Sequence, residues 1–157
     1  MNLLEHKKAR LNYEVLEEFE AGIELFGHEV KALRGKQGKL EGSHVVVRPT
    51  SSRLRGGSRL EAYVVGMSIP PYQAGNTPKE YEPERSRKLL LTKKELATLA
   101  DFEGQKGLTI VPLRVYNKGN KLKVGLAVVR GRKKYDKRAV LKKRDAEREM
   151  DRTLKNR

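Results

Sequence analysis

The hydrophobic positions of this chain change period several times, and each change marks an element. Tyr13 and Val15, then Ile23 and Leu25, alternate with polar residues as strands do, while Glu17 to Gly22 interrupts the register. Gly22 therefore predicts a bulge or tight turn between two strands within Tyr13 to Leu25. Phe26, Val30 and Leu33 fall at i, i+4 and i+7 with Gly35 behind them, which predicts a short helix over Gly27 to Arg34. Gly38 and Gly42 frame a loop into a strand over His44 to Arg48, ended by Pro49.

Residues 49–59, PTSSRLRGGSR, are polar, and the Gly56-Gly57 pair with three arginines predicts an exposed hairpin tip. A strand returns over Leu60 to Ile69. Tyr63, Val65, Met67 and Ile69 form one face and Leu60, Ala62 and Val64 the other, so it is expected to be covered on both sides for part of its length. A long connection, Pro70 to Pro83, contains Gly75-Asn76 and leads to a basic cluster and an apolar strand, Arg85 to Leu91. Thr92 and Glu95 then make a capping box, predicting a helix to about Phe102. Leu108 to Tyr116 and Lys121 to Val129 flank Asn117-Lys118-Gly119-Asn120 as the clearest hairpin in the chain. In its second strand Leu122, Val124, Leu126 and Val128 form a core face, and Lys121, Lys123, Gly125 and Ala127 a face compatible with RNA or water. Pro112 cannot donate to a ladder, so its strand is bulged there or lies at an edge.

Six or seven short strands joined by hairpins, with two inserted helices and no solenoid repeat, predict a fold that is mainly β with α. The expected form is a small antiparallel barrel, closed or partly open, of the oligonucleotide-binding type. Composition then separates body from tail. Residues 130–157 carry thirteen basic and five acidic residues and so supply +8 of the chain's formal +15. Residues 1–129 are expected to be the barrel and 130–157 a basic extension. The extension has too few apolar residues on one stripe to bury a face, so alone it should be frayed. Nothing after Asp136 breaks a helix, however, and Arg144, Arg148 and Arg152 stack at i, i+4, i+8. Such a column suits a phosphate backbone, with folding on binding; a solvated solubility tail is the alternative.

A pI near 10.1 points to nucleic acid. The tail lacks the broad apolar face a membrane-surface helix needs, and no stretch is apolar and long enough to span a bilayer, so no membrane partner is expected. The opening, MNLLEHKKAR, has no signal-peptide core, and there is no Cys, which together predict a cytoplasmic protein without disulfides. Catalysis is not expected. His6, His28 and His44 are scattered, no Walker or G-x-G-x-x-G loop is present, and Glu17, Glu18 and Glu20 lack further ligands for Mg²⁺. Neither cofactor nor metal is implied. With nine aromatics and no RNP-like pair, recognition of RNA shape and phosphate is favoured over base stacking on a sheet.

Several stretches together resemble the SsrA-binding protein (small protein B) family. They are Lys7-Lys8-Ala9-Arg10 with Tyr13; Phe19 to Ile23; Gly27 with Glu29 to Lys36; Ile69, Pro71-Tyr72 and Gly75-Asn76; Arg85 and Arg87 to Leu91; Gly107 to Leu113; and Gly131 to Arg138. The ordered set spans nearly the whole chain. The resemblance implies a non-catalytic adaptor that grips the tRNA-like domain of transfer-messenger RNA and delivers it to stalled ribosomes for trans-translation, with elongation factor Tu as an optional companion on the charged RNA. It places the tail, as a helix, in the decoding centre and messenger channel of the small subunit.

Matched by position, the resemblance implies RNA contacts or their supports at Glu20, Leu90 and Thr92. Lys7, Lys8, Arg10, Lys31, Arg34, Lys36, Arg85, Arg87 and Lys88 are further candidate RNA-facing cations, with plain solvent as the alternative for the Lys7, Lys8 and Arg10 patch. Core packing remains open for Leu90, and an ion pair within the protein for Glu20. The tail set is Arg132, Lys133, Lys134, Tyr135, Asp136, Lys137, Arg138, Lys142, Lys143, Arg144, Arg148 and Arg152, with Tyr135 as a stacking residue. His6, Leu11 and His44 depart from the pattern, and the loop 49–59 is longer and more basic than the usual tight turn. A basic ribosomal or RNA-chaperone protein is the alternative class.

Overall fold

The computed structural model describes residues 2–50, 59–73, 75, 77–131 and 134–155, with the backbone alone at Arg10, residues 134–137 and Val140. The elements run β1 (Asn2–Glu5), α1 (Ala9–Asn12), β2 (Tyr13–Ile23), α2 (Gly27–Arg34), β3 (His44–Pro49), β4 (Leu60–Val65), β5 (Arg87–Leu90), α3 (Lys93–Glu103), β6 (Leu108–Lys118), β7 (Lys121–Gly131) and α4 (Lys134–Lys155). The sheet order is β1-β6-β3-β4-β5-β2-β7, and β7 returns to pair with β6. Six antiparallel strands thus form a ring, with β1 beside β3 on one edge of β6. This is the curled antiparallel sheet that the pattern predicts, compatible with the oligonucleotide-binding type. The seam is thin: β3 meets β6 at one pair, Val45 with Ile110, whereas β2–β7 and β6–β7 pair along most of their length.

Local sequence explains most elements. α2 spans the predicted residues, and α3 starts where Thr92 accepts the Glu95 amide (3.2 Å) while Glu95 accepts the Thr92 amide (3.2 Å). The β6–β7 hairpin is tighter than predicted. Lys118 pairs with Lys121, leaving Gly119 and Asn120 as the turn, with Gly119 at φ 64 where a side chain would be strained. The ladder is irregular between Pro112 and Arg114, as a proline without a donor requires. Inside the ring, Leu33, Leu40, Val64, Met67, Ile69, Leu99, Ile110, Val124 and Leu126 make the main core.

Three expectations change. β2 is one strand, not two: the irregularity falls between Val15 and Glu17, and Gly22 pairs with β5 on one side and β7 on the other. β4 stops at Val65 because Gly66 adopts φ 83. That residue shifts the alternation by one, so Ala62, Val64, Met67 and Ile69 all enter the same core instead of dividing between two faces. β7 is covered on its second face too, where Ala127 and Val129 join Ala9, Val111 and Leu113 in a small satellite cluster. The tail is helical over Lys134–Lys155, as the unbroken stretch after Asp136 predicts. A run without Gly or Pro, rich in Lys, Arg, Glu, Ala and Leu, favours a helix, and Asp145–Arg148 and Glu149–Arg152 fall at the three-residue spacing of helix-surface pairs. The tip of the loop, 51–58, and Asn76 lie outside the described residues.

A buried ion cluster ties the elements together. Glu29 of α2 and Arg87 of β5 are both fully buried. Arg87 donates to Glu29 (2.7 Å) and to the carbonyls of Met67 (2.7 Å), Pro83 (2.8 Å) and Arg85 (3.1 Å). Arg85 forks onto the same carboxylate through Nε (3.1 Å) and Nη2, and the Tyr81 hydroxyl donates to it at 2.9 Å. Arg87, expected to face RNA, is therefore turned inward, because the carboxylate and three carbonyls it satisfies all lie inside. Burial pushes the Glu29 carboxyl up, but donors from Arg85, the Phe26 amide and Arg87 outweigh it and hold the group below its ordinary 4.5. Glu29→Gln should cost about 3–5 kcal/mol by leaving a buried guanidinium unpaired, read as a lower urea midpoint at unchanged slope. Because the folded value is depressed, this stabilisation is full above pH 4.5 and should fade as pH falls through the lower folded value. In acid, then, wild type should lose its advantage over the variant.

Candidate RNA-binding surface

In an antiparallel sheet, directly paired residues share a face, so the register itself assembles a surface. Leu90 of β5 pairs with Gly22 of β2, Gly22 with Lys123 of β7, and Lys123 with Tyr116 of β6. The neighbouring row is Glu20, Gly125 and Arg114. Leu90 is half exposed, so this face points outward from the ring, and the core-packing alternative for Leu90 is set aside. The glycines shape it. A Cβ on Gly22 would lie 3.2 Å from Leu90 Cβ, and one on Gly125 would lie 3.2 Å from Arg114 Cγ. Both neighbouring side chains lie across bare backbone.

Leu90 is also the ridge between two depressions. One, of about 260 Å³, is lined by Gly22, Leu25, Val30, Arg34, Leu90, Lys121 and Lys123. The other, of about 640 Å³, is lined by Arg59, Glu61, Lys88, Leu90, Lys93 and Leu96 among others. Apolar floors rimmed by cations suit a nucleotide, with base or sugar below and phosphate at the rim. Of the predicted residues, the structure brings together Leu90, Arg34, Lys88 and Glu20. Lys88 is half exposed and pairs with Glu61 at 3.4 Å. Glu20 is engaged inside the protein, accepting from the Tyr116 hydroxyl and from Lys118 Nζ at 2.9 Å. Burial and the Glu20 hydrogen bond push the Tyr116 phenol up to about 12, and donors from Tyr116 and Lys118 hold the Glu20 carboxyl below its ordinary value. Thr92 is the cap of α3. Arg85 is mostly covered by its pair with Glu29.

Other predicted residues lie elsewhere. Lys31 and Lys36 are exposed on and after α2. Lys7 and Lys8 are exposed beside α1, at the opposite end of β2 from Gly22, roughly 30 Å of strand away. Arg10 is described by its backbone only. That end is also where β7 runs out toward α4. On α4, Arg138, Lys142, Lys143, Arg148 and Arg152 are exposed and Arg144 half-buried, so the arginine column stands largely in solvent. Ala146, Met150 and Leu154 lie on the opposite side of the helix by its 3.6-residue period, with Met150 and Leu154 well exposed. Lys134, Tyr135, Asp136 and Lys137 form the first turn of α4; Arg132 and Lys133 lie outside the described residues. Lys123, Tyr116 and Arg114 were missed. The alternation of Lys121, Lys123 and Gly125 signals an outward face, but only the register shows that Leu90 belongs to it. Among the described residues, no three His, Asp or Glu are grouped to hold a metal, and no helix is long and apolar enough to cross a membrane.

Fold and surface define a class: a small ring of antiparallel strands with a cationic, apolar-centred outer face and a basic helical extension. The model of the SmpB protein family matches residues 3–156, and the chain belongs to that family. The SsrA-binding protein of Magnetococcus marinus is 45% identical over 153 residues, 98% of this chain and 95% of the relative. Those of Thermosynechococcus vestitus and Clostridium botulinum are 42% and 43% identical over 155 residues, 99% of this chain and 95% and 92% of theirs. A chain in the solved structure "tmRNA-SmpB: a journey to the center of the bacterial ribosome" matches with TM-score 0.62 and 42% identity, over 83% of this chain and 85% of that one. The Glu20–Tyr116 contact can be tested directly. In an alkaline ultraviolet titration, one tyrosine of the wild type should ionise near 12, and in Glu20→Gln the same tyrosine should ionise at lower pH, because the carboxylate that opposes its ionisation is gone.

Proposed function

We propose that this chain is a non-catalytic adaptor of ribosome rescue, binding the tRNA-like domain of transfer-messenger RNA with its body and engaging the ribosome with α4. The cross-strand row Leu90–Gly22–Lys123–Tyr116 carries the reading, because it sets an apolar ridge and fixed cations on the rigid part of a family member whose relatives are named for binding SsrA. A rigid sheet suits recognition of one RNA shape. The α4 helix, with its cations in a column, suits a groove lined by phosphates, which on this reading is the empty messenger channel of the small subunit. Its first turn, Lys134 to Lys137 with Arg138, would lie at the decoding centre, where Tyr135 stacks on an rRNA base. The two tasks are then separable, and the protein works in the cytoplasm, where ribosomes translate.

Two variants of the full chain test this division. Lys123→Glu should weaken binding to transfer-messenger RNA at least tenfold. The triple variant Arg144→Glu, Arg148→Glu, Arg152→Glu should keep that affinity within about twofold and lose peptide tagging of stalled chains. Equal loss of RNA affinity in both would mean that body and tail act as one undivided basic surface. Binding should also prefer transfer-messenger RNA over an ordinary tRNA as salt is raised. A purely phosphate-driven interaction would weaken for both along the same slope, roughly 0.7–0.9 per neutralised phosphate.

A further inference from the structure

Phe26 stands at the turn between β2 and α2, and its side chain is 53% exposed. A single exposed hydrophobic residue needs no explanation, but this ring is held on two sides. The Arg85 guanidinium carbon lies 4.1 Å from its centroid. The His28 ring lies 5.7 Å away with the planes 33° apart, and Tyr81 meets His28 edge-on at 4.5 Å. The supports are themselves fixed. Arg85 is forked onto the buried Glu29 carboxylate, and the Phe26 amide donates to that same carboxylate at 2.8 Å. The backbone that carries the ring and the guanidinium that backs it are therefore held by one buried group.

Charge selects what such a ring would meet. Arg85 and Arg87 share the single Glu29 carboxylate, so the cluster beneath Phe26 keeps one net positive charge, and Arg85 is its partly exposed member. Lys31 and Arg34 stand exposed on the helix that Phe26 caps. An exposed aromatic beside a guanidinium pair of net positive charge, with two further cations on the helix it caps, is complementary to a nucleotide, whose base can stack while its phosphate meets the cations. Phe26 follows Gly22 by four residues, within about 13 Å of chain of the Leu90 row, so one RNA can touch both. We infer that Phe26, backed by Arg85, is a stacking platform for an unpaired base of the RNA bound on that face. The inference rests on the RNA-binding reading above and adds to it a base-stacking contact on a protein otherwise poor in exposed aromatics.

The chain contains no tryptophan, so Phe26→Trp in the full protein is a single-tryptophan reporter at the site. Titrated with transfer-messenger RNA, its emission should be quenched by half or more, with a midpoint matching the mobility shift measured in parallel. Phe26→Leu, which keeps an apolar side chain but no π face, should bind about five- to tenfold more weakly at an unchanged melting temperature. Unchanged tryptophan emission at RNA concentrations that give a complete mobility shift, together with wild-type affinity for Phe26→Leu, would overturn the platform while leaving the RNA-binding reading intact. A wild-type protein that fails to shift the RNA at all would remove both.

Discussion

The Glu29 carboxylate is the constraint on which the arrangement of this molecule depends. It is buried in a helix of eight residues, yet it receives donors from β5, from the long connection before it and from the start of its own helix. A charge in that position is tolerable only if its partners are in place, so the cluster pins α2 against a stretch of chain that lies more than fifty residues further on. Because Arg87 opens β5, the clamp also sets where Leu90 emerges three residues later. The outward face of the sheet therefore inherits its geometry from a group that is wholly buried.

Much of this was legible from sequence, for reasons that differ between elements. α2, α3 and the β6–β7 hairpin were readable because their signals are local: a 3.6-residue period, a capping box, a Gly-Asn turn between alternating runs. The faces of β4 and β7 were misread because they depend on what packs above them. Gly66 reverses the alternation through one positive φ, and α1, only four residues long, covers Ala127 and Val129 from a distance of over a hundred residues in sequence. Arg87 looked like its neighbours Arg85 and Lys88 in a basic run. Nothing local marks it as the buried member, since that assignment is made by Glu29, fifty-eight residues away. Lys123 and Tyr116 were invisible as site residues for the same reason, because a cross-strand row exists only once the register does.

The body and α4 represent two ways of meeting a polyanion. On the sheet, cations are set among glycines and an exposed leucine, and several charges are already partnered, as Lys88 is by Glu61 and Lys118 by Glu20. Such pairs hold side chains in place at little net gain in stability, which favours discrimination of shape over raw attraction. On α4 the basic side chains stand largely in solvent and their spacing comes from the helix alone, which favours long-range attraction to phosphate. On the proposed reading, the rigid face is the part that reads one RNA and the charged rod the part that approaches a larger assembly.

The continuity of α4 has a further consequence. Twenty-two helical residues span about 33 Å, and because a helix fixes angle along with distance, the far arginines are indexed to the first turn of α4 in phase as well as in reach. An insertion of three or four residues would advance the column by about a turn and leave it facing nearly the same way, whereas one or two would swing it to another side of the rod. Changes in the length of this segment are therefore filtered by their remainder on division by 3.6, and the helix serves as a screw gauge between its first turn and its far arginines.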